Sequence, residues 1–145
     1  MWKYPLPEDT VIFRISRVVV HLDGPRVVRL QMPADQHRST ICDHISCGGE
    51  FTDVQWSEDG RQLAFVSSSR DHKEARLRVA DPETGAVRDV LDERVATFFE
   101  SGVDMVNWRV LFGSSEVLWW SQRDDWGHLY PVSYTHLTLP TKRIV

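Results

Sequence analysis

The stretch from Phe51 to Leu91 constrains this chain most. It reads as four short apolar runs, FTDVQW, LAFVSSS, ARLRVAD and VRDVL, separated by three polar breaks. Asp59-Gly60 lies in the first break and Pro82-Glu83-Thr84-Gly85 in the third, and both are turn sequences. The runs are rich in Val, Leu and Phe, and each is too short for a globular helix. Four antiparallel strands in so few residues make one blade of a β-propeller, a fold built from repeated blades.

The repeat is visible in the sequence. Arg70-Asp71 recurs as Arg123-Asp124, an offset of 53 residues (70 to 123). At that offset Leu63-Ala64-Phe65 falls on Glu116-Val117-Leu118, Ser68 on Ser121 and Leu77 on Tyr130. A second blade is therefore expected to begin near Met105 and to be cut short. The fold class is all-β: a propeller fragment with one complete four-stranded blade and partial blades on either side.

Composition excludes more than it selects. With 145 residues there is enough chain for a core, and a formal charge of −4 gives no electrostatic case for nucleic acid or an anionic membrane. No apolar run is long enough for a transmembrane segment. The N-terminus MWKYPLPEDT lacks the basic-then-apolar order of an export signal. Two cysteines, Cys42 and Cys47, are too few for a disulfide scaffold, and the compartment stays open.

The flanking segments read as follows. Val11–Ile15 and Arg17–His21 are expected as strands, and Arg26–Leu30 as the return strand of a hairpin turned at Asp23-Gly24-Pro25. Gln31–Ser39 is expected as a polar loop, Thr40–Ser46 as a short strand, and Cys47-Gly48-Gly49 as the turn into the complete blade. Asp92–Glu100 mixes helix and strand formers, and the extended reading is preferred beside propeller strands. Val106–Phe112 is expected as strand, Gly113–Ser115 as turn and Glu116–Ser121 as strand.

No catalytic, cofactor-binding or metal-binding residue is assigned. His37, Cys42, His44 and Cys47 offer four nitrogen and sulfur donors, but their spacing matches no common paired-ligand pattern. There is no G-x-S-x-G turn: Ser114 and Ser115 follow Gly113 without the second glycine. His21, His72 and His128 stand apart in sequence, and Glu58-Asp59, Asp92-Glu93 and Asp124-Asp125 sit in turn-like contexts where acids are commonly solvated caps. Trp56, Trp108, Trp119, Trp120 and Trp126 are expected mainly as packing between stacked sheets rather than as a pocket lining.

The segment Val117–Tyr130, VLWWSQRDDWGHLY, together with the blade Phe51–Leu91, resembles the N-terminal propeller of dipeptidyl peptidase IV-type enzymes of the prolyl oligopeptidase family. Members of that family commonly carry a W-S-E-R-D-G-W-x-H-L/Y-Y-type segment, and Gln122 and Asp125 here replace its Glu and Gly. Arg26–Leu30 and Leu77–Arg88 are also similar, and the likeness spans nearly all of residues 5–130. The resemblance implies a parent serine peptidase in which the propeller gates and positions peptide substrate. A separate α/β-hydrolase domain would carry the Ser-Asp-His triad, and N-terminal dipeptides would be released. The family's pair of adjacent glutamates that holds the substrate amino terminus has no counterpart, since no Glu-Glu occurs. The chain lacks the hydrolase domain and is expected to be inactive alone. The alternative is a stand-alone TolB/WD40-like interaction propeller without catalysis.

Residues 132–145 carry a second resemblance. Val132–Thr141, VSYTHLTLPT, is similar to the in-frame translation of the transposase mosaic-end adapter used in sequencing libraries, and Pro131 and Lys142 fit its flanking bases. The expectation is a partial propeller over residues 1–131 and a non-native, adapter-derived tail over 132–145 that packs poorly. Without Lys142 and Arg143 the formal charge moves from −4 to −6. Isolated blades lack neighbours to cover them, so residues 1–130 are expected to be aggregation-prone or to bind hydrophobic dyes. Sequencing the natural gene downstream of the Tyr130 codon should give a different continuation. The same VSYTHLTLPT in independently cloned genomic DNA would refute the adapter origin.

Overall fold

The computed structural model describes residues 6, 8–36, 54–99 and 108–134. Every regular element among them is a β-strand, as the apolar spacing requires. The chain divides into two compact units, Met1–Ser101 and Gly102–Val145.

The first unit contains the expected blade. Its strands are β5 (Val54–Trp56), β6 (Leu63–Ser68), β7 (Glu74–Ala80) and β8 (Val87–Arg94), in the order β5-β6-β7-β8 and all antiparallel. β8 runs past Leu91 to Arg94, so the extended reading of Asp92 onward is right for three residues. Four further strands precede the blade: β1 (Arg14–Ile15), β2 (Val18–His21), β3 (Arg26–Arg29) and β4 (Asp35–Gln36). β2 and β3 form the hairpin around Asp23-Gly24, whereas β1 pairs with β4. That second pairing falls in the segment read as a polar loop, because two-residue strands carry no periodicity to detect. Val11–Phe13 are not strand. The expected strand at Thr40–Ser46 and the turn at Cys47–Gly49 lie outside the described residues.

Alternation along β6 and β7 decides what is buried. Leu63, Phe65 and Ala80 lie on one face and pack with Val19 and Leu30 from the β2–β3 layer. Phe65 is 0 % exposed. Burying a side chain of that size stabilises by about 2 kcal/mol, so hairpin and blade form one core. The β7–β8 turn fixes the hairpin from the other side. Gln31 donates its backbone N–H to the Gly85 carbonyl (2.7 Å) and its side-chain amide to the Thr84 carbonyl (2.9 Å). Gly85 has φ +76°, and a Cβ there would lie 2.5 Å from the Arg29 carbonyl oxygen. Only glycine satisfies both conditions.

Two of the blade's turns repeat one design. In Ser57–Gln62, Ser57 Oγ donates to Asp59 (2.7 Å) and accepts the N–H of Gln62 (2.9 Å), while Asp59 accepts the N–H of Arg61 (3.0 Å). In Ser69–Glu74, Ser69 Oγ donates to Asp71 and accepts the N–H of Glu74 (2.9 Å), and Asp71 accepts from Lys73 (3.2 Å). Gly60 (φ 69°) and His72 (φ 57°) take the left-handed position. The serine hydroxyls and backbone N–H groups hold Asp59 and Asp71 below the ordinary carboxylate range.

The second unit is a three-stranded sheet ordered β11-β10-β9, with β9 Trp108–Leu111, β10 Glu116–Ser121 and β11 His128–Ser133. β10 lies at the 53-residue offset from β6 throughout its length. Leu63↔Ala80 in the first sheet and Glu116↔Ser133 in the second are equivalent pairs. Asp125, the counterpart of His72, also has positive φ (70°), and its N–H bonds to the Gln122 carbonyl as that of His72 bonds to Ser69. The β9–β10 connection is two residues shorter than its counterpart. β11 runs across the expected 131/132 boundary. Val132 pairs with Val117 and is 3 % exposed, at the position of Val79. The expectation of poor packing therefore fails at this residue, because an inward strand position accepts any β-branched apolar side chain. Residues 135–145 lie outside the described residues.

Two outcomes follow for urea denaturation. Gly60→Ala meets no atom within 4 Å and should lose only the left-handed penalty, roughly 1–2 kcal/mol. Gly85→Ala should lose clearly more, because the hairpin carbonyl must move as well. In an acid titration, the stabilisation from Asp59 and Asp71 is complete above about pH 4 and lost as the pH falls through their lowered folded values. Asp59→Asn and Asp71→Asn together should flatten that acid limb.

Candidate functional site

The polar side chains of the first unit gather on the face of the blade that carries Phe65. β7 reads Glu74-x-Arg76-x-Arg78, which places all three charges on one side of the sheet. β8 supplies Asp89, Asp92 and Arg94 opposite them, in the pairs Arg78↔Asp89, Arg76↔Asp92 and Glu74↔Arg94. The acids are three apart where the arginines are two apart. A β-bulge between Leu77 and Arg78, with Val90 as the extra residue, absorbs the difference and returns Asp89 to the charged face. Arg78 Nε donates to Asp89 at 2.8 Å. Burial works against the Arg76 cation, yet Glu74, Asp92 and Asp89 around it raise its pKa above the ordinary arginine value.

At the inner end of this ladder Asp35 from β4 is 7 % exposed between two guanidinium groups. Arg17 Nε donates to its Oδ2 (3.2 Å), Arg78 Nη1 lies 3.5 Å from its Oδ1, and Ser67 Oγ donates to it at 3.0 Å. Arg17 also stacks over the Phe65 ring, 4.7 Å from the centroid. Nearby, His21 contacts the Pro82 carbonyl (3.1 Å) and Glu83 (3.5 Å), and Arg26 pairs with Glu83 at 2.5 Å. His21 thus stands apart in sequence but not in space. These are structural couplings between the β1–β4 layer and the blade.

The segment that carries the family resemblance, Trp120–Tyr130, forms the β10–β11 connection. Asp124 accepts the Tyr130 hydroxyl (2.6 Å), and Arg123 lies over the Tyr130 ring at 4.6 Å while donating to Ser121 Oγ (3.0 Å). Gly127 is pressed on the Trp120 indole, where a Cβ would come within 2.5 Å. The Arg-Asp pair and the Gly-x-x-Tyr spacing therefore fold one turn upon its own strand. Trp126 at its tip is 76 % exposed.

The tryptophans divide. Trp108 and Trp119 are buried as packing residues, Trp120 is half-buried, and Trp56 and Trp126 are exposed, against the expectation of core for most of them. His72 stacks on Phe98 (4.7 Å between centroids), and His128 meets Tyr130 edge-on. Glu58, Asp59, Asp124 and Asp125 are exposed on turns, whereas Glu93 is buried on β8. The cluster His37, Cys42, His44 and Cys47 lies outside the described residues. The ladder could have been found from the alternating charges of β7 and β8; the Asp35 contact has no sequence signal. Asp35→Ala would remove the buried carboxylate between Arg17 and Arg78 and should cost about 3–5 kcal/mol in chemical denaturation. Glu83→Ala, at an exposed pair, should cost about 1 kcal/mol or less.

No curated protein matches the chain. Among solved structures, the chain is similar to one from Bacteroides ovatus ATCC 8483, described provisionally as a dipeptidyl aminopeptidase IV, with 17 % identity and a TM-score of 0.48. That match covers 87 % of this chain and 20 % of the other, so the chain spans about one fifth of that protein. The family described as the dipeptidyl peptidase IV (DPP IV) N-terminal region matches residues 1–142. This all-β chain, a propeller fragment of one complete blade with partial neighbours, belongs to the dipeptidyl peptidase IV N-terminal region family.

Proposed function

We propose that the chain is part of the propeller of a serine peptidase that releases N-terminal dipeptides, and that this propeller gates and positions the peptide substrate. The family match over residues 1–142 carries the reading. The blade repeat supports it, since stacked sheets enclose a channel through which substrate size can be controlled. Chemistry would belong to an α/β-hydrolase domain outside this sequence, with a serine nucleophile, a histidine base and oxyanion donors. We read residues 1–131 as the partial propeller and 132–145 as the adapter-derived tail.

The experiment is to express the natural gene through its true 3′ end and to assay an Xaa-Pro chromogenic dipeptide. The full-length product should hydrolyse it and contain G-x-S-x-G, and the 145-residue chain should not. Hydrolysis by the 145-residue chain would overturn the division of labour. A natural gene that ends in blades alone would overturn the peptidase reading in favour of an interaction propeller.

A further inference from the structure

We propose that Asp23 is a site of spontaneous backbone isomerisation, its bond to Gly24 passing through a cyclic succinimide to isoaspartate, while the fold protects the same dipeptide at Asp59-Gly60. Asp-Gly occurs at these two places in the sequence. The reaction needs the glycine backbone nitrogen to reach the aspartate side-chain carbon, and glycine, without a Cβ, obstructs that approach least. The nitrogen bonds to Cγ of the protonated carboxyl, the Cγ–OH bond breaks, and the amide proton and the hydroxyl leave as water. Water then reopens the five-membered ring at either carbonyl. Opening at Cγ restores aspartate, and opening at the main-chain carbonyl leaves the backbone running through Cβ. Composition is unchanged, and water is the only co-reactant.

The two pairs share this chemistry and differ in what holds them. At Asp59-Gly60 both reacting groups are tied. The Gly60 N–H donates to the Ser57 carbonyl (3.0 Å), and Asp59 Oδ1 accepts from Ser57 Oγ (2.7 Å) and from the Arg61 N–H (3.0 Å). Those bonds also keep Asp59 ionised to lower pH, which withdraws the neutral carboxyl that the nitrogen attacks. Asp23-Gly24 lies instead at the tip of the β2–β3 hairpin, in residues 22–25, which the His21↔Arg26 pair closes. All four of these residues are exposed, Leu22 at 88 %, and a Cβ placed on Gly24 meets nothing within 4 Å. Among the described residues neither the Asp23 carboxylate nor the Gly24 N–H has a hydrogen-bond partner. The tip therefore has room to close the ring with no bond to break first. The product adds one backbone carbon between β2 and β3, next to His21 and Arg26, which hold Pro82 and Glu83 of the blade.

The test is to age the full chain in mildly acidic buffer, with and without urea, and to digest it with trypsin. Isoaspartate is then read in the peptides 18–26 and 39–61 by isoaspartyl methyltransferase labelling and by fragmentation that separates the two linkages. In buffer Asp23 should carry about tenfold more than Asp59, because closure at Asp59 must break several hydrogen bonds, each slowing it about fivefold. In urea the two should converge. Ser57→Ala should raise isoaspartate at Asp59 about fivefold and leave Asp23 unchanged, and Asp23→Glu should abolish the signal in its own peptide. No isoaspartate at Asp23, equal accumulation at the two pairs in buffer, or a difference that persists in urea would each overturn the proposal. So would a Ser57→Ala chain in which Asp59 stays protected.

Discussion

The carboxylate of Asp35 lies between two arginines, Arg17 and Arg78, the second of them shared with Asp89, and much of the first unit depends on that arrangement. Arg17 comes from before the hairpin, Asp35 from after it, and Arg78 from the centre of the blade. The buried guanidinium groups need an anion, and the anion needs both of them and the Ser67 hydroxyl. Charge requirements therefore hold the chain on either side of β2–β3 against β6 and β7. The apolar contacts of Val19 and Leu30 with Phe65 supply bulk stabilisation; the polar contact fixes where the layer sits. Gly85 adds a third constraint, since its missing Cβ lets the hairpin backbone come close to the turn.

Much of this architecture was legible in the residues. Asp59-Gly60 and Thr84-Gly85 mark turns because glycine occupies the left-handed positions they require, and the strands between them follow from alternation. The offset of 53 residues located β10 to the residue, because equivalent strands in stacked repeats meet the same packing demands. Other features were not legible. β1 and β4 are held by tertiary partners rather than by propensity, and a bulge at Val90 leaves no local mark. The exposure of Trp56 and Trp126 depends on what faces them, which no pattern within their own strands records.

The polar groups of the site bear on function in a particular way. In the charged ladder and the Trp120–Tyr130 turn, arginines, acids and the tyrosine hydroxyl are directed at one another, while Arg76 Nε and His128 Nε2 are buried without a hydrogen-bond partner among the described residues. Such groups organise a scaffold. That agrees with the role proposed above, a propeller wall that positions substrate while bond-breaking chemistry belongs to another domain.

The cross-strand charges on β7 and β8 also act as a code for strand alignment. With Glu74 opposite Arg94 and Arg76 opposite Asp92, a slip of β8 by two residues brings like charges together in either direction. One direction sets Arg76 against Arg94, and the other sets Glu74 against Asp92. A slip by one residue puts the whole set on the wrong side of the sheet. Apolar side chains of similar size would tolerate such errors, but alternating charge does not. Mispaired registers of the β8 edge strand therefore carry a like-charge cost that the native register lacks, and the bulge at Val90 brings Asp89 into the same set.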